Sequence, residues 1–231
     1  KDFALNRQIV GKVTMLGMPS FITQMATVFV IMTMNNVIAA VGEESKYGCE
    51  IPLAVIGITM KLCMIVAQVA LGIAIGAQPI YGYNYGNRQY GRVKKGIVFG
   101  VTCGILMAES YGIFAYFFAP HLIRIFNDAP AVVEFGSMHM RTISLFYLLM
   151  AFSHCMAAVF RGAGKAAVPM YTMLVCWCVI RVSYITLALK FIYRLETISF
   201  AYPITWTLSS IVFLIYFLKA DWMHDEKKKT A

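Results

Sequence analysis

Along the chain from Lys1 to Ala231 the apolar positions neither alternate nor scatter, but gather in six blocks parted by short polar stretches. The blocks cover about residues 13–41, 53–81, 96–118, 132–159, 168–192 and 198–218. Each can cross a hydrocarbon core of about 30 Å, which takes roughly 20 apolar residues in helical form. In lipid no water serves the backbone, so a helix, which satisfies its own N–H and C=O groups, is the element each block predicts. The expected fold is all-α and integral to a membrane. Residues 1–12 form an amphipathic lead-in, 13–219 a lobe of six transmembrane helices, and 220–231 a charged tail.

The first span follows a stretch with Lys1, Arg7 and Lys12, contains Pro19 in its first turns, and closes at Gly42-Glu43-Glu44. The second is rich in glycine, with Gly72, Gly76, Gly82 and Gly86 at small-residue spacings that favour close helix contact or a hinge. Pro120 is expected to stop the third span, and the amphipathic run from Leu122 to Phe126 to lie at the membrane interface.

Composition agrees with the pattern. Hydrophobic residues make up 60% and charged residues 13%, where a water-soluble domain has roughly half and a quarter. The net charge of +9 does not point to nucleic acid, because the basic residues sit at the ends of the apolar blocks. With the N-terminus cytoplasmic, Lys1, Arg7, Lys12, Arg88, Arg92, Lys94, Lys95, Arg161, Lys165, Lys219, Lys227, Lys228 and Lys229 fall inside, and Lys46, Arg124, Lys190 and Arg194 outside. This asymmetry predicts a multi-pass protein of the plasma (inner) membrane with both termini cytoplasmic. The chain starts at Lys1 rather than Met, with no secretory signal before the first block, and so reads as a piece of a longer protein.

The six cysteines, Cys49, Cys63, Cys103, Cys155, Cys176 and Cys178, read as small packing residues without a disulfide framework. Cys176-Trp177-Cys178 lacks the second ligand pair of a zinc site. Arg161-Gly-Ala-Gly-Lys165 lacks the spacing of a phosphate loop, and GYNYG has neither the strand nor the third glycine of a dinucleotide site. No nucleophile or metalloprotease motif appears, so the expectation is a protein that is not an enzyme and needs no cofactor.

Three bases, Lys61, Arg141 and Arg181, fall within predicted spans, with Glu109 as the one carboxylate there that is not in a span's first turn. Counted at about 1.5 Å per residue, all four lie at a similar depth in the outer half. Ionisable groups so placed are functional candidates by default. One reading is a polar cavity in which Glu109 and the bases bind, relay or gate a charged species. The other pairs Glu109 with one base while the remaining bases reach to the interface. Gln24, Asn35 and Asn36 on the first span, Gln68 and Gln78 on the second, and His139 and His154 on the fourth are further polar interruptions, serving either a pathway or interhelical bonds.

Particular strings carry a family likeness: Gly17-Met-Pro19-Ser20, Asn35-Asn36 and Gly42, then GIAIGAQPIYGYNYGNRQYGRVKK from Gly72 to Lys95. Ile125-Phe126-Asn127-Asp128, Phe160-Arg161-Gly-Ala-Gly-Lys165 and Ala201-Tyr202-Pro203 continue the pattern. In order and spacing the chain resembles the C-terminal half of a multidrug and toxin extrusion (MATE) transporter, of the MOP superfamily. The resemblance implies twelve spans in two six-helix lobes flanking a cleft that opens alternately to either side, with spans seven to twelve here. It also implies export of organic cations or amphipathic drugs by antiport with Na+ or H+. Some members carry acidic cation-site residues on the seventh or tenth span; this chain has Gln24, Asn35, Asn36, His139, Arg141 and His154 there, which leaves Glu109 or the first lobe to serve the coupling ion.

The expected partners are a missing N-terminal six-helix lobe or a second copy, the bilayer and a small organic substrate. Two rival functions are a lipid-linked glycan flippase of the same superfamily, for which a cationic cavity would suit a pyrophosphate, and a structural or assembly subunit.

Overall fold

The computed structural model describes residues 7–220. The elements run α1 (Arg7–Glu43), α2 (Glu50–Gly86), α3 (Tyr90–Arg124), α4 (Pro130–Ser144), α5 (Tyr147–Gly162), α6 (Ala167–Met173), a π-helical stretch (Leu174–Val179), α7 (Ile180–Phe191) and α8 (Leu195–Lys219). α4 and α5 are the two halves of one span bent by 49°, and α6, the π stretch and α7 run as one span over Ala167–Phe191. Counted this way the described residues hold six helices or bent pairs long and apolar enough to cross a membrane. Lys1 and Lys227–Lys229 lie outside the described residues.

The helices are longer than the apolar blocks. α1 and α2 have 37 residues each, more than a core of about 30 Å requires at about 1.5 Å per residue. GYNYG is therefore the last turns of α2, and α1 is already helical from Arg7, so the described part of the lead-in continues into the first span.

Pro120 does not stop the third span. α3 passes through it to Arg124, and Ile123 is fully buried, so the run after Pro120 packs against the bundle rather than lying only at the interface.

Core packing rests on small residues, and the helix that supplies them is α3. Gly100, Gly104, Ala108, Gly112, Ala115 and Ala119 are buried at spacings of three and four, which puts them on one face. Such a stripe lets helix backbones approach closely in lipid. A Cβ on Gly104 would meet Cys155 Sγ at 2.7 Å, and one on Gly112 would collide with the Ser144 carbonyl. On α2, only Gly82 of the four glycines makes such an approach, 3.0 Å from its Cβ position to the Gly162 carbonyl. Gly72, Gly76 and Gly86 face open space.

The same approaches fix which ends of the helices lie together. Gly82 on Gly162, and Phe160 against Tyr216 at 5.0 Å between rings, gather the ends of α2, α5 and α8, and with them Arg88, Arg92, Lys94, Lys95, Arg161, Lys165 and Lys219. At the opposite end Lys46 Nζ lies 3.0 Å from Glu134 Oε1, and the Tyr47 hydroxyl donates to the same oxygen at 3.1 Å. The Tyr47 hydrogen bond and then Glu134 raise the Lys46 pKa above its ordinary value.

α1 joins this bundle through one stripe of its second half, Val30, Met34, Ile38 and Val41. No described side chain of α1 before Val30 is buried.

Candidate functional site

The break between α4 and α5 organises the layer that holds Glu109 and Arg141. A helix start leaves its first N–H groups without intrahelical acceptors. At Leu148, the second residue of α5, Glu109 Oε2 of α3 accepts the N–H at 3.3 Å. One turn along α3, Gly112 meets the last carbonyl of α4, at Ser144. Residues 109, 112 and 116 share one face of α3, and that face splints the broken span from both sides.

Arg141, on the last turn of α4, completes the splint. Pro120 has no N–H, so the carbonyl of Tyr116 four residues earlier loses its helical donor. Arg141 Nε–H donates to that carbonyl at 3.2 Å, with the guanidinium 5.8 Å from the Tyr116 ring centroid. This explains both how α3 continues through a proline and what Arg141 does at this depth.

Arg181 follows the π-helical stretch on α7 and is buried. Its Nε–H and Nη2–H donate to Thr205 Oγ1 at 3.2 and 2.7 Å. The Tyr202 ring lies 4.7 Å away and the Trp177 ring 5.9 Å away. The wide π turn lets Trp177 Nε1–H reach Ser209 Oγ at 3.0 Å, where Ser153 and Ser210 continue a hydroxyl cluster. π turns recur at functional sites.

His139 lies inside the lobe. It is fully buried, with Nδ1 2.6 Å from Ser199 Oγ and Nε2 unpartnered. His154 meets the Trp177 ring edge-on at 5.2 Å.

A second group of polar residues is uncovered. Gln24, Asn35 and Asn36 of α1 and Lys61 and Gln68 of α2 are all exposed. On α2, Lys61, Met64, Ile65, Gln68, Gly72, Ile75 and Gly76 recur at helical spacing as one exposed face.

Of the two readings of this layer, the one that pairs Glu109 with a base is not met. Among the described residues no base lies within ion-pair distance of Glu109; the ion pair formed is Lys46 with Glu134. The four groups are not gathered into one cluster, although Cys63, two residues from Lys61, lies 3.9 Å from Met150 just beyond the break. They point apart, because depth counts residues while facing depends on rotation about the helix axis. Tyr116, Trp177, Tyr202 and Thr205 went unremarked as partners. For the last two a signal existed in the α8 spacing of Tyr202, Thr205, Trp206, Ser209 and Ser210, one polar-aromatic face.

Comparison with known proteins places this geometry. The MatE family model matches residues 19–187. The chain is 25% identical over 159 residues to the "Probable multidrug resistance protein NorM" of Thermotoga maritima, covering 67% of this chain and 32% of that protein. Among solved structures, the outward-facing conformation of a multidrug resistance MATE family transporter of the MOP superfamily has a TM-score of 0.84 at 20% identity, over 99% of this chain and 49% of the other. A MOP superfamily transporter from Pyrococcus furiosus, described by the reverse polarity of its binding pocket and a suggested different function, gives 0.82 at 20% identity over 93% and 47%. The chain thus spans about a third of that curated relative and about half of each solved structure.

Proposed function

The chain belongs to the MatE family, and from that membership we propose that it forms one wall of a two-lobe cleft through which organic cations or amphipathic compounds leave the cell by antiport with Na+ or H+. The observation that carries this is the uncovered polar face of α1 and α2. Gln24, Asn35, Asn36, Lys61 and Gln68 fall within the apolar blocks of α1 and α2 yet are exposed on the lobe. Polar and charged groups so placed face protein or a water-filled cavity, not lipid. A second six-helix lobe opposite this face would supply both.

Alternating access follows as rocking of one lobe against the other, with the basic end of the bundle, around Arg88 and Arg161, at the cytoplasm. Ion binding drives such a change only through different affinity for the two states. A proton on Glu109 would act on the Leu148 N–H, and through it on the bent span.

The test uses the full-length protein in liposomes with ethidium as probe and an imposed pH or Na+ gradient. Ethidium moves against the direction of the driving ion, and Lys61→Met and Gln68→Ala alter its half-saturation. Movement under neither gradient rejects the reading, and Glu109→Gln with unchanged pH dependence rejects the role of Glu109.

A second reading, a lipid-linked glycan flippase, is favoured by the absence of a carboxylate at ion-pair distance from Lys61, Arg141 or Arg181 among the described residues. Translocation of a fluorescent lipid-linked pyrophosphate, without movement of ethidium, would select it.

A further inference from the structure

The two ends of the lobe differ in charge. Among the described residues Glu43, Glu44 and Glu50 stand about the α1–α2 turn, Asp128 and Glu134 about the start of α4, and Glu196 in the first turn of α8, all at the end of the Lys46–Glu134 pair. Glu109 lies within α3. No described carboxylate lies at the other end, where the bases about Arg92, Arg161 and Lys219 gather.

Packing holds those bases round one apolar cluster. Buried Val93 of α3, flanked by Arg92 and Lys94, packs there with Phe160 of α5, the neighbour of Arg161. Phe213 of α8 belongs to the same cluster, and Tyr216 and Ala220, on either side of Lys219, join its edge. Like charges so gathered repel one another, and an anion brought among them relieves the repulsion.

The chemistry of that anion follows from what lies beside the charge. Val212, Ile215, Tyr216, Lys219 and Ala220 line a hollow of about 440 Å³ on α8. The first four recur at spacings of three and four and so share one face, with Lys219 at the helix end and Val212 about 10 Å deeper into the span. Val212 and Ile215 are 41% and 49% exposed, so the hollow is open along the side of the helix. A soluble anion would use the ammonium alone, whereas an amphiphile with a phosphate above an acyl chain uses the apolar wall as well. A second copy of the chain, inserted the same way, presents the same bases at this level and does not supply the anion.

We propose that this hollow binds an anionic phospholipid, with its phosphate at Lys219 and Arg161 and one acyl chain along Val212, Ile215 and Tyr216. The elements carrying the two bases touch here, the Tyr216 ring meeting that of Phe160 edge-on at 5.0 Å. Basic sites at the cytoplasmic ends of membrane helices hold lipid head groups in this way. That the leaflet is the cytoplasmic one rests on the transport reading; the binding does not.

The experiment titrates the purified full-length protein, in a neutral detergent, with dioctanoyl phosphatidylglycerol and with dioctanoyl phosphatidylcholine, and reads the bound lipid by native mass spectrometry. Wild type binds the phosphatidylglycerol at least about fivefold more tightly, the usual effect of one base near an anionic lipid. Lys219→Gln brings the two lipids within about twofold. Arg161→Gln lowers the preference by about twofold or more, and Lys190→Gln, which removes a base at the opposite end, leaves it unchanged. Ile215→Asp, which puts a carboxylate in the path of the chain, weakens phosphatidylglycerol at least about threefold. Gel filtration checks folding; if Arg161→Gln does not fold, the exposed Lys219 and Ile215 carry the test. No preference in wild type, an unchanged preference in Lys219→Gln, or an equal loss in Lys190→Gln overturns the proposal. Soluble glycerophosphoglycerol that displaces the lipid at equal concentration also overturns it, by making the site one for a free phosphate ester. If ethidium is not transported but the lipid preference holds, the transport reading fails and the lipid site stands.

Discussion

Arg141 donates its Nε–H to the carbonyl of Tyr116 at 3.2 Å, the one carbonyl that Pro120 is unable to bond. A base on one span thus repairs a helix that its own proline interrupts, and in doing so ties α4 to α3 just before the bend in the α4–α5 span.

A double-mutant cycle tests this coupling. Arg141→Leu should lower stability by about 1 kcal/mol, the usual net contribution of a hydrogen bond that is open to its surroundings. Pro120→Ala returns an N–H to position 120, so in that background the same Arg141→Leu should lose less than about half as much. Thermal unfolding of the four full-length proteins in detergent gives the result; equal losses in both backgrounds would show that Arg141 does not serve the Tyr116 carbonyl.

Glu109 holds the other side of the bend through Leu148 N–H. Glu109→Gln keeps an acceptor oxygen, whereas Glu109→Leu leaves the N–H unpaired, at about 1–2 kcal/mol. Hydrogen exchange should therefore quicken at residues 145–150 in Glu109→Leu and not in Glu109→Gln. Equal exchange in both would mean that α5 starts without help from α3.

Gly112→Ala places a methyl group against the Ser144 carbonyl. Backbone cannot give way as a side chain does, so α3 must retreat from the break, with a loss of about 1–3 kcal/mol. Gly57 on α2 has open space around its Cβ position, and Gly57→Ala should be neutral or stabilising by up to about 1 kcal/mol. Melting curves that rank the two the other way would place the close helix contact elsewhere.

The Lys46–Glu134 pair is exposed, 68% and 64% by side chain. Exposed pairs contribute little, so Lys46→Met should barely move the melting temperature. The raised Lys46 pKa keeps the ammonium charged below and through the ordinary lysine value, and its small contribution is lost only as pH rises beyond that. Melting should accordingly show no Lys46-dependent step between about pH 6 and pH 9. A step there would require the ammonium to titrate far below its usual range.

The spans were legible in the chain because lipid imposes a length and a polarity on each helix, and the match of blocks to helices follows from that. Their ends were not, since α2 carries Tyr83 and Asn84 in helical turns beyond the hydrocarbon, where hydropathy no longer constrains the backbone. Pro120 misled for a chemical reason: its missing donor is offset by Arg141, a residue twenty-one positions away, which no local pattern reveals. Glu109, Lys61, Arg141 and Arg181 each lie on a long apolar helix, as their places in the chain imply, but their partners depended on helix rotation. The glycines of α2 read as a close helix contact or a hinge; three of the four have open space at their Cβ positions.

That open space leads to the most discriminating prediction. Gly72 and Gly76 have nothing within 4 Å of their Cβ positions, so within this lobe Gly76→Leu meets no obstacle and should leave its packing intact. If the face they share with Lys61 and Gln68 borders a cleft, a bulky residue there narrows the path, and ethidium transport by the full-length protein should fall more than about fivefold at unchanged melting temperature. Labelling separates a cleft from lipid independently. In Lys61→Cys and Gln68→Cys a membrane-impermeant maleimide should react, because thiols need water to ionise. In Met107→Cys, whose position on α3 is exposed among apolar neighbours, it should not. Equal inertness at all three positions, with normal transport by Gly76→Leu, would put the α2 face against lipid and remove the wall on which the transport reading stands.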